Sequence, residues 1–267
     1  MRRALLALVL LAAGCGGSEE AVSPGAETST RATTTGPAPT TPAPPPAEPV
    51  PAGRTALSVY FLRDGRIAAA RRTVPETAAV ARAALEELAA GPTPAEREAG
   101  LTSDVPPGLQ IDRLSVAGGV ATVDLAVGCP PVAQIVYTLT QFPTVERVRG
   151  NCLPGAGLAR ADLEDATPAI LVESPTVGES ISSPLRIRGT ANTYEANFIV
   201  NVTDWDGRIV ARNYVTATSG SGERGTFDVT IPFEVGRPGG ALIVFEESAE
   251  DGSQQNVVEI PLDLQPG

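Results

Sequence analysis

The chain of 267 residues contains no histidine and no lysine, so arginine supplies all 20 of its cationic side chains. Histidine is the commonest general base, the usual activator of a serine or cysteine nucleophile and the commonest zinc ligand. Its absence excludes most hydrolase mechanisms and leaves paired carboxylates as the remaining acid–base chemistry. We therefore expect a protein that is not an enzyme, with no catalytic residues, no metal site and no cofactor.

Tryptophan and methionine occur once each, which argues against a large aromatic sugar platform and against a Met-rich adaptable groove. Acidic residues number 31, and the formal net charge is -11 at pH 7. A surface of this charge repels nucleic acid and anionic lipid headgroups, so we expect neither as a partner.

No apolar run reaches the ~20 residues that a membrane-spanning helix needs. Residues 1–14 combine Arg2 and Arg3 with a short apolar core and a small-residue exit, which is the layout of a signal peptide. The segment LAAGC at 11–15 resembles the bacterial lipobox, which implies cleavage before Cys15 and a lipid on Cys15. The alternative is an ordinary secretory peptide with an incidental cysteine. The lipoprotein interpretation predicts that Cys15 anchors the mature chain at the extracytoplasmic face of the bacterial cell membrane.

Residues 15–53 are rich in Pro, Thr, Ala and Gly and contain too few apolar side chains to form a core. This composition predicts a disordered, partly extended stalk between the membrane and the folded domains. A proline-motif ligand for a partner protein is the alternative.

Residues 54–152 have the pattern of an α+β domain, with a mixed sheet and two helices on one face. Strand-like runs at 57–62 and 67–74 flank an Asp-Gly turn, and a second pair at 110–116 and 120–126 flanks Gly118-Gly119. Apolar stripes with helical spacing follow each hairpin, at 81–88 and 132–142, and a last strand is predicted at 145–149.

Three blocks of this region resemble the GerMN domain over about residues 55–152. They are LEELAAGPTPAE at 85–96 with GLTS at 100–103, GVATVDL at 119–125, and AQIVYTLTQFPTVERV at 133–148. The resemblance implies an envelope or sporulation-associated lipoprotein with no established active site, which acts in assembly at the cell surface and, in spore formers, in spore maturation and germination.

Cys129 and Cys152 flank the predicted helix and the last strand of this domain. In an exported protein such an isolated pair is most simply a disulfide. A reactive dithiol is the alternative, but the spacing is not CxxC and no activating base is available.

Residues 153–167 form a predicted short linker, and residues 168–264 contain seven short strand-like runs separated by turn residues. This spacing predicts an all-β sandwich. The segments SPLRIRGTA at 183–191, EANF at 195–198 and EESAEDGS at 246–253 resemble the immunoglobulin-like domain that often follows GerMN. Two acidic turns, at 204–207 and 246–251, could suggest weak calcium binding, but we interpret both as solvated hairpin turns.

Together these features predict a membrane-anchored extracytoplasmic lipoprotein that acts as a non-enzymatic scaffold or adaptor in the cell envelope. Its expected partners are the membrane, through Cys15, and other envelope proteins or peptidoglycan. Two alternatives remain open: a carboxylate-dependent cell-wall hydrolase and a wall-polymer-binding protein. Capture of a small solute is disfavoured, because the domains lack the paired-lobe size of such receptors.

Overall fold

The structure is a computed structural model that describes residues 52–126 and 128–267. The predicted signal peptide, Cys15 and nearly all of the predicted stalk therefore lie outside the described residues. The elements of the first domain are β1 (Arg54–Arg63), β2 (Arg66–Pro75), α1 (Val80–Ala90), α2 (Pro94–Glu98), β3 (Ile111–Ala117), β4 (Val120–Leu125), α3 (Ala133–Leu139) and β5 (Arg147–Arg149).

Both predicted hairpins of this domain are confirmed. Asp64 and Gly65 have φ values of 51° and 75°, and they connect β1 to β2 in a tight turn in which Arg63 pairs with Arg66. Gly118 and Gly119 turn β3 back onto β4 with φ values of 55° and 78°. β5 then pairs parallel to β4, so β3, β4 and β5 form a mixed sheet, while β1 and β2 form a separate two-stranded sheet.

Helix α2 is an addition to the predicted elements, because the sequence predicts only two helices in this domain, at 81–88 and 132–142. Thr93 is its N-cap and forms a capping box with Glu96, and Pro94 occupies the first helical position. The Thr-x-x-Glu spacing and the proline explain why this segment begins a helix. Glu96 is buried, and Arg72 donates to it from Nη1 and Nη2 at 2.5 and 2.8 Å.

The two longer helices α1 and α3 pack against β1 and against each other. Leu57, Val59 and Phe61 of β1 belong to the hydrophobic core of this domain, together with Leu85 and Leu88 of α1. This arrangement confirms the predicted α+β layer.

Helix α3 also covers the edge of β1 that β2 leaves unpaired. Gln134 donates to the carbonyl of Tyr60 at 3.1 Å, and Thr138 accepts from the amide of Tyr60 at 3.1 Å. Gln141 accepts from the amide of Ser58 at 2.6 Å and donates to its carbonyl. Since buried backbone groups must be hydrogen-bonded, these polar side chains of α3 and of the turn that follows it replace a neighbouring strand.

The second domain is a two-sheet sandwich, as predicted. Its strands are β6 (Ile170–Ser174), β7 (Ser180–Ile181), β8 (Leu185–Ala191), β9 (Asn197–Asp204), β10 (Ile209–Thr216), β11 (Gly225–Ile231), β12 (Gly240–Glu247) and β13 (Gln254–Leu264). One sheet has the order β11-β8-β6 and the other has the order β10-β9-β12-β13-β7. The seven predicted strands are present, and the two-residue β7 is additional.

Side chains from both sheets form the sandwich core. Phe198 of β9 and Phe227 of β11 meet edge to face, with ring centroids 4.9 Å apart. Gly189 on β8 allows close packing, because a Cβ there would lie 2.0 Å from the carbonyl oxygen of Leu171 and 2.7 Å from the ring of Phe227.

The predicted linker between the domains is ordered. Leu158 forms an isolated bridge with Val148 of β5, and a kinked 3-10 helix spans Arg160–Ala166. The segment therefore packs along the first domain before the chain enters β6. No helix within residues 52–126 or 128–267 is long and apolar enough to cross a membrane.

Candidate functional site: the interdomain contact and its cleft

Leu171 of β6 inserts its side chain into the first domain. It is 2 % exposed and lies in a hydrophobic cluster with side chains of β1, β2 and α3, namely Tyr60, Leu62, Ile67, Ala69 and Tyr137. β1 alternates its side chains, so Phe61 faces the helices while Tyr60 and Leu62 face the sandwich. The two domains therefore share a hydrophobic cluster as well as a covalent connection.

Arg160 covers the edge of this cluster. Its guanidinium lies 5.0 Å from the ring centroid of Tyr60 and 4.7 Å from that of Tyr137. It donates to Glu173 at 2.7 Å, to the hydroxyl of Tyr60 at 3.0 Å and to Thr140 Oγ1 at 2.8 Å. One side chain from the connecting segment thus contacts both domains.

The charges around Arg160 are matched. The hydroxyl of Tyr60 donates to the carboxylate of Glu173. Burial raises the pKa of Tyr60, and the neighbouring carboxylate of Glu173 raises it further. Tyr60 is therefore protonated at neutral pH and remains a hydrogen-bond donor to Glu173.

A second set of contacts holds the β1–β2 turn against the sandwich. Arg63 Nη1 donates to the carbonyl of Glu259 on β13 at 2.6 Å. Arg66 Nη1 donates to the carbonyls of Asp165 and Thr167 at 3.0 and 3.2 Å. These bonds reach across about 100 to 196 positions of sequence. They fix the turn against the sandwich at Glu259 and against the connecting segment at Asp165 and Thr167.

Beside these contacts lies a cleft of about 530 Å³. The β1–β2 turn, the end of the 3-10 helix, the start of β6 and the first half of β13 line this interdomain cleft, with Arg63, Arg66, Glu164, Asn192, Arg224 and Val257 among its residues. Its volume is within the usual range for ligand sites, and contacts between domains are a common place for them.

A hydrogen-bond network forms part of the lining of the interdomain cleft. Arg224 donates from Nε and Nη2 to the two carboxylate oxygens of Glu164, both at 2.8 Å, and Asn192 donates to Glu164 at 2.8 Å. The hydrogen bonds from Arg224 lower the pKa of Glu164 and outweigh its partial burial. Glu164 is therefore ionised at neutral pH, which is the opposite of what a general acid requires.

Each of the two domains matches a known domain family. Residues 58–149 match the domain family described as sporulation and spore germination. Residues 169–253 match the immunoglobulin-like domain of bacterial spore germination. The chain joins a GerMN-type domain to a spore-germination immunoglobulin-like domain. Neither domain family is known as an enzyme family.

Two solved structures are similar to parts of the chain. The tandem GerMN domains of the sporulation protein GerM from Bacillus subtilis share 15 % identity, with a TM-score of 0.34 over 67 % of this chain and 61 % of theirs. A candidate lipoprotein from Clostridium perfringens shares 17 % identity, with a TM-score of 0.24 over 40 % of this chain and 81 % of its own. The chain thus spans about three fifths of the GerM structure. No curated protein matches the chain.

The structure joins Cys129 and Cys152 of the GerMN-type domain in a disulfide, with their Cα atoms 5.2 Å apart. The bond closes the connection from β4 through α3 to β5. Cys15, the predicted lipid-attachment residue, lies outside the described residues.

In the two acidic turns of the immunoglobulin-like domain, carboxylate oxygens accept hydrogen bonds from backbone amides of the same domain. Asp204 Oδ1 accepts from the amides of Asp206 and Arg208, both at 2.9 Å. Glu246 accepts from the amide of Tyr194 at 2.9 Å. Within residues 52–126 and 128–267 no three acidic or cysteine side chains are grouped as they are in a metal site.

Sequence reasoning did not find Arg160, Leu171 and Glu173 as functional residues. Arg160 lies in a segment with the composition of a linker, and its partner on β1, Tyr60, is 100 positions away in sequence. Leu171 resembles any apolar residue of a buried strand. A signal existed only in the order of the two domains, which brings the start of β6 next to the first domain.

Proposed function

We propose that the chain is an extracytoplasmic lipoprotein, anchored through Cys15, that acts as a non-enzymatic adaptor in the cell envelope during sporulation or germination. The descriptions of both domain families name spore germination, and one also names sporulation, which supports a role of the chain in that process. The signal-peptide layout and the lipobox-like segment ending at Cys15 support the location.

The observation that carries the adaptor role is the fixed contact between the domains. Leu171 is buried across the domain boundary, and Arg160 is bonded on both sides of it. Domains that work independently usually keep a small polar interface that permits motion. A fixed pair instead presents one combined surface, which suits the alignment of binding partners.

The anchoring is tested by fractionating cells that express the full chain. The wild-type protein is expected in the membrane fraction, from which detergent but not high salt releases it, because a lipid partitions by hydrophobic burial. Cys15→Ser is expected in the soluble extracytoplasmic fraction. A wild-type chain that has an unmodified amino terminus and is absent from the membrane fraction would contradict this part of the proposal.

The adaptor role is tested with the purified full-length Cys15→Ser chain. We expect it to retain envelope proteins from a detergent extract or to co-sediment with peptidoglycan, and we expect Arg160→Ala to weaken that retention because it loosens the domain pair. Equal retention by both forms would argue against a role for the combined surface.

A carboxylate-dependent wall hydrolase is the rival function. Zymography of the same protein on peptidoglycan separates the two functions. A clearing band would favour the enzyme, whereas the adaptor predicts none.

A further inference from the structure

The first half of β13 has an unpaired edge. β13 pairs with β12 from Gln254 to Leu262, whereas β7 covers its other side only at Asp263 and Leu264. Gln254, Gln255, Asn256 and Val257 are all exposed, and Val257 is 50 % exposed. An open edge of this kind offers main-chain donors and acceptors to an added strand.

Further along, the outer side of β13 is occupied. The carbonyl of Glu259 accepts from Arg63, and the carbonyl of Pro261 accepts from the amide of Gly178 at 2.9 Å. Because main-chain groups alternate between the two edges of a strand, these two bonds identify the outward side from Val258 onward. Before Val258 the pairing with β12 contains a bulge, in which Asn256 has a φ of 51°, so the alternation is interrupted between Val258 and Gln255. The edge that remains open therefore ends where Arg63 meets Glu259.

The open edge runs along the interdomain cleft. Asn256, Val257 and Val258 line the cleft, and Ile67 and Ala68 of β2 line it from the first domain. An extended segment placed along β13 would therefore lie between the two domains, with the branched side chain of Val257 beside it. Addition of a strand to an open edge is a common way to bind a peptide.

The charges at the β1–β2 turn favour an acidic peptide. Arg63 and Arg66 form no salt bridge with any carboxylate of residues 52–126 and 128–267, and their hydrogen bonds go to backbone carbonyls through Nη1. Burial lowers the pKa of Arg63, and the carboxylates of Asp64 and Glu259 lie near enough to offset part of this lowering, but neither forms a salt bridge with it. Glu164 also lines the cleft and is already bonded to Arg224. Asp64 and Asp165 line the cleft as well and are exposed. A carboxylate on the ligand would supply the missing partner of the two arginines.

We propose that the interdomain cleft binds an extended acidic peptide segment of an envelope protein, which adds as a strand along the open edge of β13 and places a carboxylate against Arg63 and Arg66. This rests on the proposed function, since it names the class of partner that the adaptor holds. It assigns the main-chain contacts to β13 and the charge contact to the β1–β2 turn.

The probe is a fluorescein-labelled hexapeptide of alternating valine and threonine that ends in glutamate, titrated into the full-length Cys15→Ser chain by fluorescence anisotropy. Two altered probes accompany it: one ends in glutamine, and the other carries N-methyl groups on alternate residues, which remove the donors of one strand edge. We expect saturable binding of the first probe, about tenfold weaker binding of the glutamine probe and at least about tenfold weaker binding of the N-methylated probe.

Two variants test the protein side. Val257→Asp and Arg66→Gln are each expected to weaken binding of the glutamate probe by about tenfold. Val257→Asp removes the apolar contact, and Arg66→Gln removes the charge contact. Val116→Asp and Arg113→Gln are matched controls on β3, at an exposed valine and an exposed arginine outside the cleft, and should bind as the wild type does. Unchanged melting temperatures show that the variants remain folded.

Absence of saturable binding, equal binding of the N-methylated probe, or equal binding of the glutamate and glutamine probes would each overturn the proposal. None of these outcomes affects the membrane-fraction test of Cys15, so failure of the cleft and failure of the anchoring are separable.

Discussion

Replacement of Arg160 by alanine tests the contact between the domains. The change removes the hydrogen bonds to Glu173, Tyr60 and Thr140, and it also removes a bond to the carbonyl of Tyr137 at 3.2 Å. It further removes the guanidinium from the faces of both tyrosine rings. Glu173 keeps only the hydroxyl of Tyr60 as a partner at this contact.

The cost follows from the burial of these groups. Breaking a fully buried ion pair costs about 3–5 kcal/mol, but exposed pairs are worth about 0–1 kcal/mol. The side chains of Arg160 and Glu173 are 27 % and 26 % exposed, so an intermediate cost of about 1–2 kcal/mol is expected for the pair. Each cation–π contact adds about 0.5–1 kcal/mol at a partly exposed site. We therefore expect Arg160→Ala to lower the free energy of unfolding by roughly 3 kcal/mol.

Urea denaturation followed by far-UV circular dichroism measures this loss, and hydrogen exchange with mass spectrometry locates it. In the wild type, the backbone amides of β1 and of the sandwich strands should exchange through one shared opening, in which both domains unfold together. In Arg160→Ala the two domains should open separately, because the main polar contact between them is gone.

Arg186→Ala is the matched control. Arg186 forms an exposed bidentate pair with Asp228 within the sandwich, so its loss should destabilise the chain much less than the loss of Arg160 and should leave the shared opening intact. A loss below about 1 kcal/mol for Arg160→Ala, or a shared opening in that variant, would refute the reasoning about the interdomain contact.

Three further predictions concern single buried positions. Thr138→Val leaves the amide of Tyr60 without a partner, and urea denaturation should show a loss of about 1–3 kcal/mol. For Glu96, burial alone would raise the pKa, but the hydrogen bonds from Arg72 and Thr93 outweigh it, and the net pKa lies below the ordinary value of 4.5. Stability from Glu96 is thus present above that value and is lost as the pH falls through the folded-state pKa, so Glu96→Gln should reduce the difference between urea midpoints at pH 7 and pH 3. Gly189→Ala places a methyl group against backbone and should lower the melting temperature, with a cost of about 1–3 kcal/mol or more.

Each of these predictions has a contradicting outcome. A Thr138→Val chain as stable as the wild type would mean that the amide of Tyr60 finds another partner. An unchanged pH dependence in Glu96→Gln would mean that other carboxylates cause the acid sensitivity. Gly236→Ala is the control for Gly189→Ala, since no heavy atom lies within 4 Å of its Cβ position, and equal melting temperatures for these two variants would contradict the close packing at β8.

Local features of the fold were predictable from the sequence. The turn at Asp64 and Gly65 requires two consecutive residues with positive φ, and Asp-Gly between two alternating runs is a strong signal for it. The seven sandwich strands were visible because short β-rich runs alternate with turn residues. Helix α2 was missed although Thr93 and Glu96 have the spacing of a capping box, because the prolines and glycines around them favoured a loop.

Long-range features were not predictable in the same way. The apolar stripe of α3 indicated a helix but not the function of Gln134, Thr138 and Gln141, whose partners lie on β1, 74 to 83 positions away. Periodicity measures how apolar residues recur, so it does not show that a polar residue covers a strand edge. Arg160 was missed for the same reason, since its contacts exist only when both domains are in place.

The disulfide between Cys129 and Cys152 offers a further test. It closes a loop with a sequence separation of 23, and in the loop-entropy model a ring of this size stabilises the fold by about 3 kcal/mol. Replacement of both cysteines by serine should therefore lower the free energy of unfolding by about this amount, measured by urea denaturation under oxidising conditions. With reductant present, the wild type should fall to the level of the double variant, while the double variant should not change. A wild type that loses no stability in reductant would show that packing alone holds the connection from β4 to β5, through the fully buried side chains of Val136 and Leu139 on α3.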